Sequence, residues 1–256
     1  MNLLLIEATE LGSDATVSLK GRRSDHIIHI LGGKPGDRIR VGVINGPVGT
    51  GEILTVREEG RNTEVELYFT PTDNSLLQPS VDLILGLVRP IMLKRLLTQV
   101  VSLGVGRIFL IRSNRVEKSF FDASLLKDAN YRQYLLQGLE QSKDTYLPQV
   151  TIHERFKPFI EDVVPGLASR YRRKFLAHPT ADLDLKQIAG GSRIGGRTLL
   201  AVGPEGGWVD YEVEKFLEQS FVPVNMGHRV LRTDTAVVAL LAQLMLLQDK
   251  RKRRQD

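Results

Sequence analysis

The feature that most restricts the fold of this chain is a rhythm that begins after residue 80. Short apolar runs at 81–87, 107–111, 150–153, 174–178, 198–202 and 222–226 are interleaved with stretches of helical periodicity. The run Val81-Asp82-Leu83-Ile84-Leu85-Gly86-Leu87 is a nearly unbroken apolar stretch, as expected for a parallel strand covered on both faces. After Pro90, which suits a first helical turn, Leu93, Leu96, Leu97, Val100, Val101 and Leu103 recur at helical spacing. Further helices are expected over 122–143, 210–219 and 233–248. This alternation predicts an α/β domain with a mostly parallel sheet. The last helix is apolar on nearly every side, which predicts burial all round, in a thick core or at a subunit interface.

The first 70 residues read differently. Short β-like runs at 3–7, 37–44, 51–57 and 63–69, punctuated by Gly, Pro and Asn, predict a small barrel. Ser24-Asp25 is expected to cap a short helix through Leu31, with Gly32-Gly33 as its stop. The stretch 71–79, with Pro71, Thr72, Asp73, Asn74, Ser75 and Pro79, is the expected linker, which sets domains at 1–72 and 73–256.

Composition removes several classes of function. The chain has no cysteine, which excludes disulfides, thiolate metal sites and a cysteine nucleophile. Of the five histidines only His26 and His29 are near each other, so no metal is expected. No Gly-x-Gly-x-x-Gly, Walker lysine loop or Gly-x-Ser-x-Gly elbow is present. The formal charge is +5, but the run 250–254 with its flanking Asp249 and Asp256 supplies +3 of it, leaving about +2 for everything else. A more telling concentration lies at Lys20, Arg22, Arg23, Lys34, Arg38 and Arg40, opposed only by Asp25 and Asp37; such a patch suits phosphate. It is equally the ordinary basic face of a small β domain. Neither a signal peptide nor a membrane span is expected, and the expected location is the cytoplasm.

Three strand ends carry the chemistry. Leu176-Ala177-His178-Pro179-Thr180, Val202-Gly203-Pro204-Glu205-Gly206-Gly207 and the segment from Met226 through Thr235 each leave an expected parallel strand. Ligands of open α/β sheets sit at such ends. Glycines there let backbone approach a flat heterocycle closely, and proline stiffens the turn.

At these residues the chain resembles the RsmE group of SPOUT methyltransferases. The likeness rests on Leu199-Leu200-Ala201-Val202-Gly203-Pro204-Glu205-Gly206-Gly207 and on Met226-Gly227-His228-Arg229-Val230-Leu231-Arg232-Thr233-Asp234-Thr235-Ala236. Weaker matches are Ser102-Leu103-Gly104-Val105, Glu140-Gln141-Ser142 and the stretch 26–39. The resemblance implies a PUA-like β-barrel followed by a SPOUT α/β domain with a deep trefoil knot. It implies S-adenosylmethionine as cofactor, a homodimer, and methylation of N3 of a uridine in 16S ribosomal RNA of the small subunit. Carried over position by position, the cofactor contacts become Leu176, Ala177, Val202, Gly203, Gly206, Gly207, Met226, Gly227, Val230, Leu231 and Thr235.

The departures fall on the RNA side: Gly32, Met92, Gln99, Ser102 and Lys143-Asp144 stand where the group carries other residues. A second reading is therefore an RNA-binding protein that has changed its target or lost catalysis. For the reaction, an arginine beside the uracil oxygens would stabilise the charge left when N3 loses its proton, a role expected of Arg229 or Arg232. Asp234 is the expected proton acceptor and Glu205 its rival; Arg232 and Asp234 also fit a structural ion pair. RNA contact is expected at Arg22, Arg23, Lys34, Arg38 and Arg40 through phosphates.

Overall fold

The structure, a computed structural model, describes residues 2–59, 62–73 and 78–248. The basic run 250–254 and part of the expected linker lie outside the described residues. The chain forms two compact units; among the described residues the first takes in 136–147 as well as the N-terminal segment, and the second comprises 78–135 and 148–248.

In the first unit, β1 (Leu4–Ile6), β2 (Thr16–Lys20), β3 (Arg38–Val43), β4 (Val48–Glu59) and β5 (Asn62–Asp73) form one five-stranded sheet in the order β1-β3-β4-β5-β2. Only β1 and β3 run parallel. Alternation sets the core face: Val65, Leu67 and Phe69 of β5 point inward to meet Val41, Val43, Ile53 and Leu19. The expected helix starts earlier than Ser24. Helix α1 (Arg22–Asp25) is preceded by Gly21 and runs directly into a π-helical turn, His26–Ile30. Ser24 is buried inside it, and its hydroxyl bonds Gly21 O at 2.9 Å and Thr63 O at 3.0 Å, so it fastens the helix to β5 rather than capping it.

The second unit is built on β6 (Val81–Gly86), β7 (Val105–Ile111), β8 (Gln149–His153), β9 (Arg173–Ala177), β10 (Thr198–Val202) and β11 (Val222–Val224). They form a six-stranded sheet, parallel throughout, in the order β11-β9-β10-β6-β7-β8. Every residue of β6 and β10 is buried. Helix α2 (Pro90–Ser102) buries Leu93, Leu96, Leu97, Val100 and Val101, as its periodicity predicts. The helix expected over 122–143 is shorter: α3 spans Arg132–Ser142. Asp128 and Ala129 upstream take positive φ of 49° and 53°, which a continuous helix cannot contain, and the chain there makes 3-10 turns instead.

The remaining α-helices are α4 (Phe156–Pro158), α5 (Val164–Gly166), α6 (Leu185–Ala189), α7 (Asp210–Glu218) and α8 (Thr233–Leu247). Asp184 caps α6 by accepting from Gln187 N at 2.7 Å, a capping box that the sequence reading passed over. Burial all round does not hold for α8 within one chain. Val237, Leu240, Leu241 and Leu244 are buried, but Met245 is 49% and Leu246 82% exposed. One face of an apolar helix is thus left to solvent. Among the described residues no helix is long and apolar enough to cross a membrane.

At the amino-terminal end of this sheet, Asp82 is fully buried and accepts two hydrogen bonds from Arg197, at 2.9 and 2.7 Å, and one from the Tyr171 hydroxyl at 2.5 Å. A buried carboxylate persists only when its oxygens are met in this way. Burial and the hydrogen bond to Asp82 push the Tyr171 hydroxyl up.

Candidate functional site

Because all six strands run parallel, the ends of β9, β10 and β11 emerge on one edge of the sheet. The segments that follow them enclose a cavity of about 200 Å³. Of the eleven expected cofactor positions, nine line it: Ala177, Val202, Gly203, Gly206, Gly207, Met226, Gly227, Val230 and Leu231. Leu176 does not, because alternation turns it into the core, where it is fully buried. Thr235 is exposed on the first turn of α8 and lies outside the lining. His178, Pro179, Pro204, Asn225, Ala236 and Leu240 join the wall.

The loops are held by their own hydrogen bonds. His178 N donates to Val224 O at 2.9 Å, Asn225 N to Leu183 O at 2.8 Å, and Gly227 N to the Asn225 side chain at 2.8 Å. Gly207 N donates to Pro204 O at 2.8 Å in a tight turn that places Gly207 at φ +71°. Glu212, buried in α7, accepts from Val209 N at 3.1 Å and from Asn114 N, in the segment after β7, at 2.7 Å. Arg115 in that same segment donates to Gly206 O at 2.5 Å. By contrast, the amides of Glu205, Gly206, Val230 and Leu231 find no protein acceptor among the described residues. The cradle thus offers main-chain donors beside apolar side chains.

Gly86, at the end of β6, packs against the loop that leaves β10, a supporting position that the sequence reading missed. A Cβ there would meet Pro204 Cδ at 2.5 Å and Pro204 N at 2.7 Å, so only glycine lets the β10 loop sit against this strand. A glycine inside an otherwise apolar run was its only signal.

A second cavity, of about 430 Å³, is lined by Arg89, Ile91, Met92, Arg95, Glu205, Arg232, Thr233 and Asp234. Glu205 borders both cavities, and one of its oxygens accepts from Arg89 N at 3.2 Å. The expected catalytic residues therefore divide between them: Arg229 faces the first, Arg232 and Asp234 the second. Arg232 Nε is 3.7 Å from Asp234 Oδ1. Among the described residues no group of three His, Asp or Glu is placed to hold a metal ion.

The expected RNA-contact residues lie in the first unit. Arg22, Arg23 and Arg38 pair with Glu140, Glu10 and Glu52 at 2.7, 2.5 and 3.4 Å. The side chains of Lys34 and Arg40 are exposed and form no salt bridge among the described residues, although Lys34 N donates to Asp37 Oδ2 at 2.8 Å.

The profile of the RNA methyltransferase domain family matches residues 76–245 of the chain. The ribosomal RNA small subunit methyltransferase E of Treponema pallidum is 32% identical over 250 residues, covering 96% of this chain and 91% of that protein. The chain belongs to the RsmE family of RNA methyltransferases. A second relative, ribosomal RNA small subunit methyltransferase E 1 of Borreliella burgdorferi, is 25% identical, covering 93% of this chain and 95% of that protein. The chain shares its fold with the crystal structure of a ribosomal RNA small subunit methyltransferase E from Neisseria gonorrhoeae bound to S-adenosyl methionine. The two superpose with a TM-score of 0.75 at 21% identity, covering 97% of this chain and 98% of that one.

Proposed function

We propose that the chain is an S-adenosylmethionine-dependent methyltransferase that modifies N3 of a uridine in 16S RNA of the small ribosomal subunit. The observation that carries this reading is the convergence of nine expected cofactor positions on one cavity at the carboxyl ends of three parallel strands. The cavity suits the cofactor: Val202, Leu231, Ala236 and Leu240 offer apolar surface to a flat base, and the unpaired amides offer donors to its polar edge.

When bound, S-adenosylmethionine supplies an electrophilic sulfonium methyl, which leaves with the C–S electron pair remaining on sulfur. The chain's own work is to orient the acceptor and handle its proton. Arg232 faces the second cavity, where its charge stabilises the uracil oxygens as N3 is deprotonated. Asp234 is tied to Arg232 and accepts from Thr235 N at 3.0 Å, an arrangement that orients the arginine. Glu205, bordering both cavities, is the carboxylate better placed to accept the N3 proton. Arg229 remains at the cofactor side.

The finer architecture is part of the same reading. The five-stranded sheet is taken as the PUA-like half-barrel. The C-terminal segment is taken as a deep trefoil knot, as the resemblance to the family implies. The exposed apolar face of α8 supports a homodimer. A cytoplasmic location follows from a ribosomal substrate. For RNA, Lys34 and Arg40 carry side-chain charge that forms no salt bridge among the described residues, and Arg22, Arg23 and Arg38 surround them in sequence.

The direct test is mass spectrometry of 16S RNA from a strain lacking the gene: the N3-methyluridine peak disappears. An unchanged peak removes this target.

A further inference from the structure

The second cavity lies where the sheet reverses direction: from β6 the chain moves through β7 and β8 on one side and later returns as β10 on the other. Its wall is made by the segment leaving β6 and the loop leaving β10, the position at which open α/β sheets take ligands. Three properties of that wall define what it holds. Ile91 and Met92 project from the first turn of α2, and Ile91 is 76% exposed, a large apolar surface that serves no core. Arg89 and Arg95 are exposed and pair with no carboxylate among the described residues. Glu205, the remaining anion of that wall beside Asp234, is shared with the first cavity.

An apolar wall for a base, next to guanidinium groups that form no salt bridge among the described residues, matches an unstacked nucleotide and its flanking phosphates. Resting on the reading above, we propose that this cavity receives the acceptor nucleotide as part of a single strand, with Arg89 and Arg95 gripping the phosphates on either side of it. Ile91 and Met92 pack against the base, and Glu205 stands at the border of the two cavities, beside the point where donor and acceptor meet. The RNA is then presented as an extruded base rather than a stacked stem, because a paired base cannot enter a cavity of this kind.

The test uses the full chain and a fluorescein-labelled single-stranded oligoribonucleotide centred on uridine, titrated by anisotropy over a salt series. Arg89→Ala/Arg95→Ala should weaken binding about tenfold or more near 0.15 M salt. The slope of log K against log salt should fall by about 1.4, the value for two phosphate contacts on a single strand. Arg89→Lys/Arg95→Lys should recover most of the slope, which a merely structural role would not produce. Both side chains are at the surface, so the fold is retained. Unchanged affinity and slope in the alanine variant overturn the proposal. Calorimetric titration of the wild-type chain with S-adenosylmethionine reports separately: absent heat sinks the methyltransferase reading and leaves the oligonucleotide result standing.

Discussion

At the scale of single residues, the site and the stability of the second unit are governed by different atoms at opposite ends of one sheet. Gly86→Ala should push the Pro204 loop away from β6 and weaken S-adenosylmethionine about tenfold by calorimetry, with little loss of helix content, because the clash is with backbone. Arg197→Met leaves Asp82 buried with Tyr171 as its remaining partner and should cost about 3 kcal/mol in urea unfolding. Cofactor affinity should be unchanged in that variant, since the cluster lies at the other end of the strands. For catalysis, Arg232→Ala should keep cofactor binding and lose methyl transfer by at least about a hundredfold. Glu205→Gln should do the same, and Asp234→Asn should retain partial activity; equal losses in the two would return the proton to Asp234.

Elements show where sequence periodicity speaks clearly and where it does not. The six strands of the parallel sheet and helices α2, α7 and α8 follow from apolar spacing, because tertiary burial and local pattern agree there. The segment before α3 kept the helical pattern of apolar residues yet turns at Asp128 and Ala129, and the pattern is blind to backbone sign. Asn225 and Glu212 hold the cradle together, and the contacts by which they bridge separate segments were illegible because those partners, Ala181 O and Asn114 N, are main-chain groups distant in sequence. Of the nine expected positions that cluster, eight were legible through the two motifs and Ala177 through the strand end that precedes His178. Leu176 and Thr235 were not separable from them by motif alone, since only strand alternation and helix phase decide which side chain faces the cavity. Helix α8 allows a prediction of its own: Leu246→Glu should shift a homodimer to monomer in sedimentation velocity, and an unaltered dimer would place the interface elsewhere.

The whole molecule carries a pH signature. His153 packs against Phe159 at 4.6 Å and Phe109 at 6.2 Å, and burial holds its ring below the usual histidine range. The folded state therefore prefers the neutral ring. Below about pH 6.5 the unfolded chain takes up a proton that the native ring resists, so stability present above that pH is lost as pH falls toward the depressed native value. Urea titrations at pH 8 and 5.5 should show a smaller drop for His153→Phe than for the wild type, and identical drops would assign the loss to other groups.

The donors left open at Glu205, Gly206, Val230 and Leu231 belong to the peptide bonds, not to the side chains that name those positions. A pocket built this way is indifferent to much of its own spelling. Descendants of this chain can exchange the residues around it, and so visit new RNA targets, while the same reagent remains in hand.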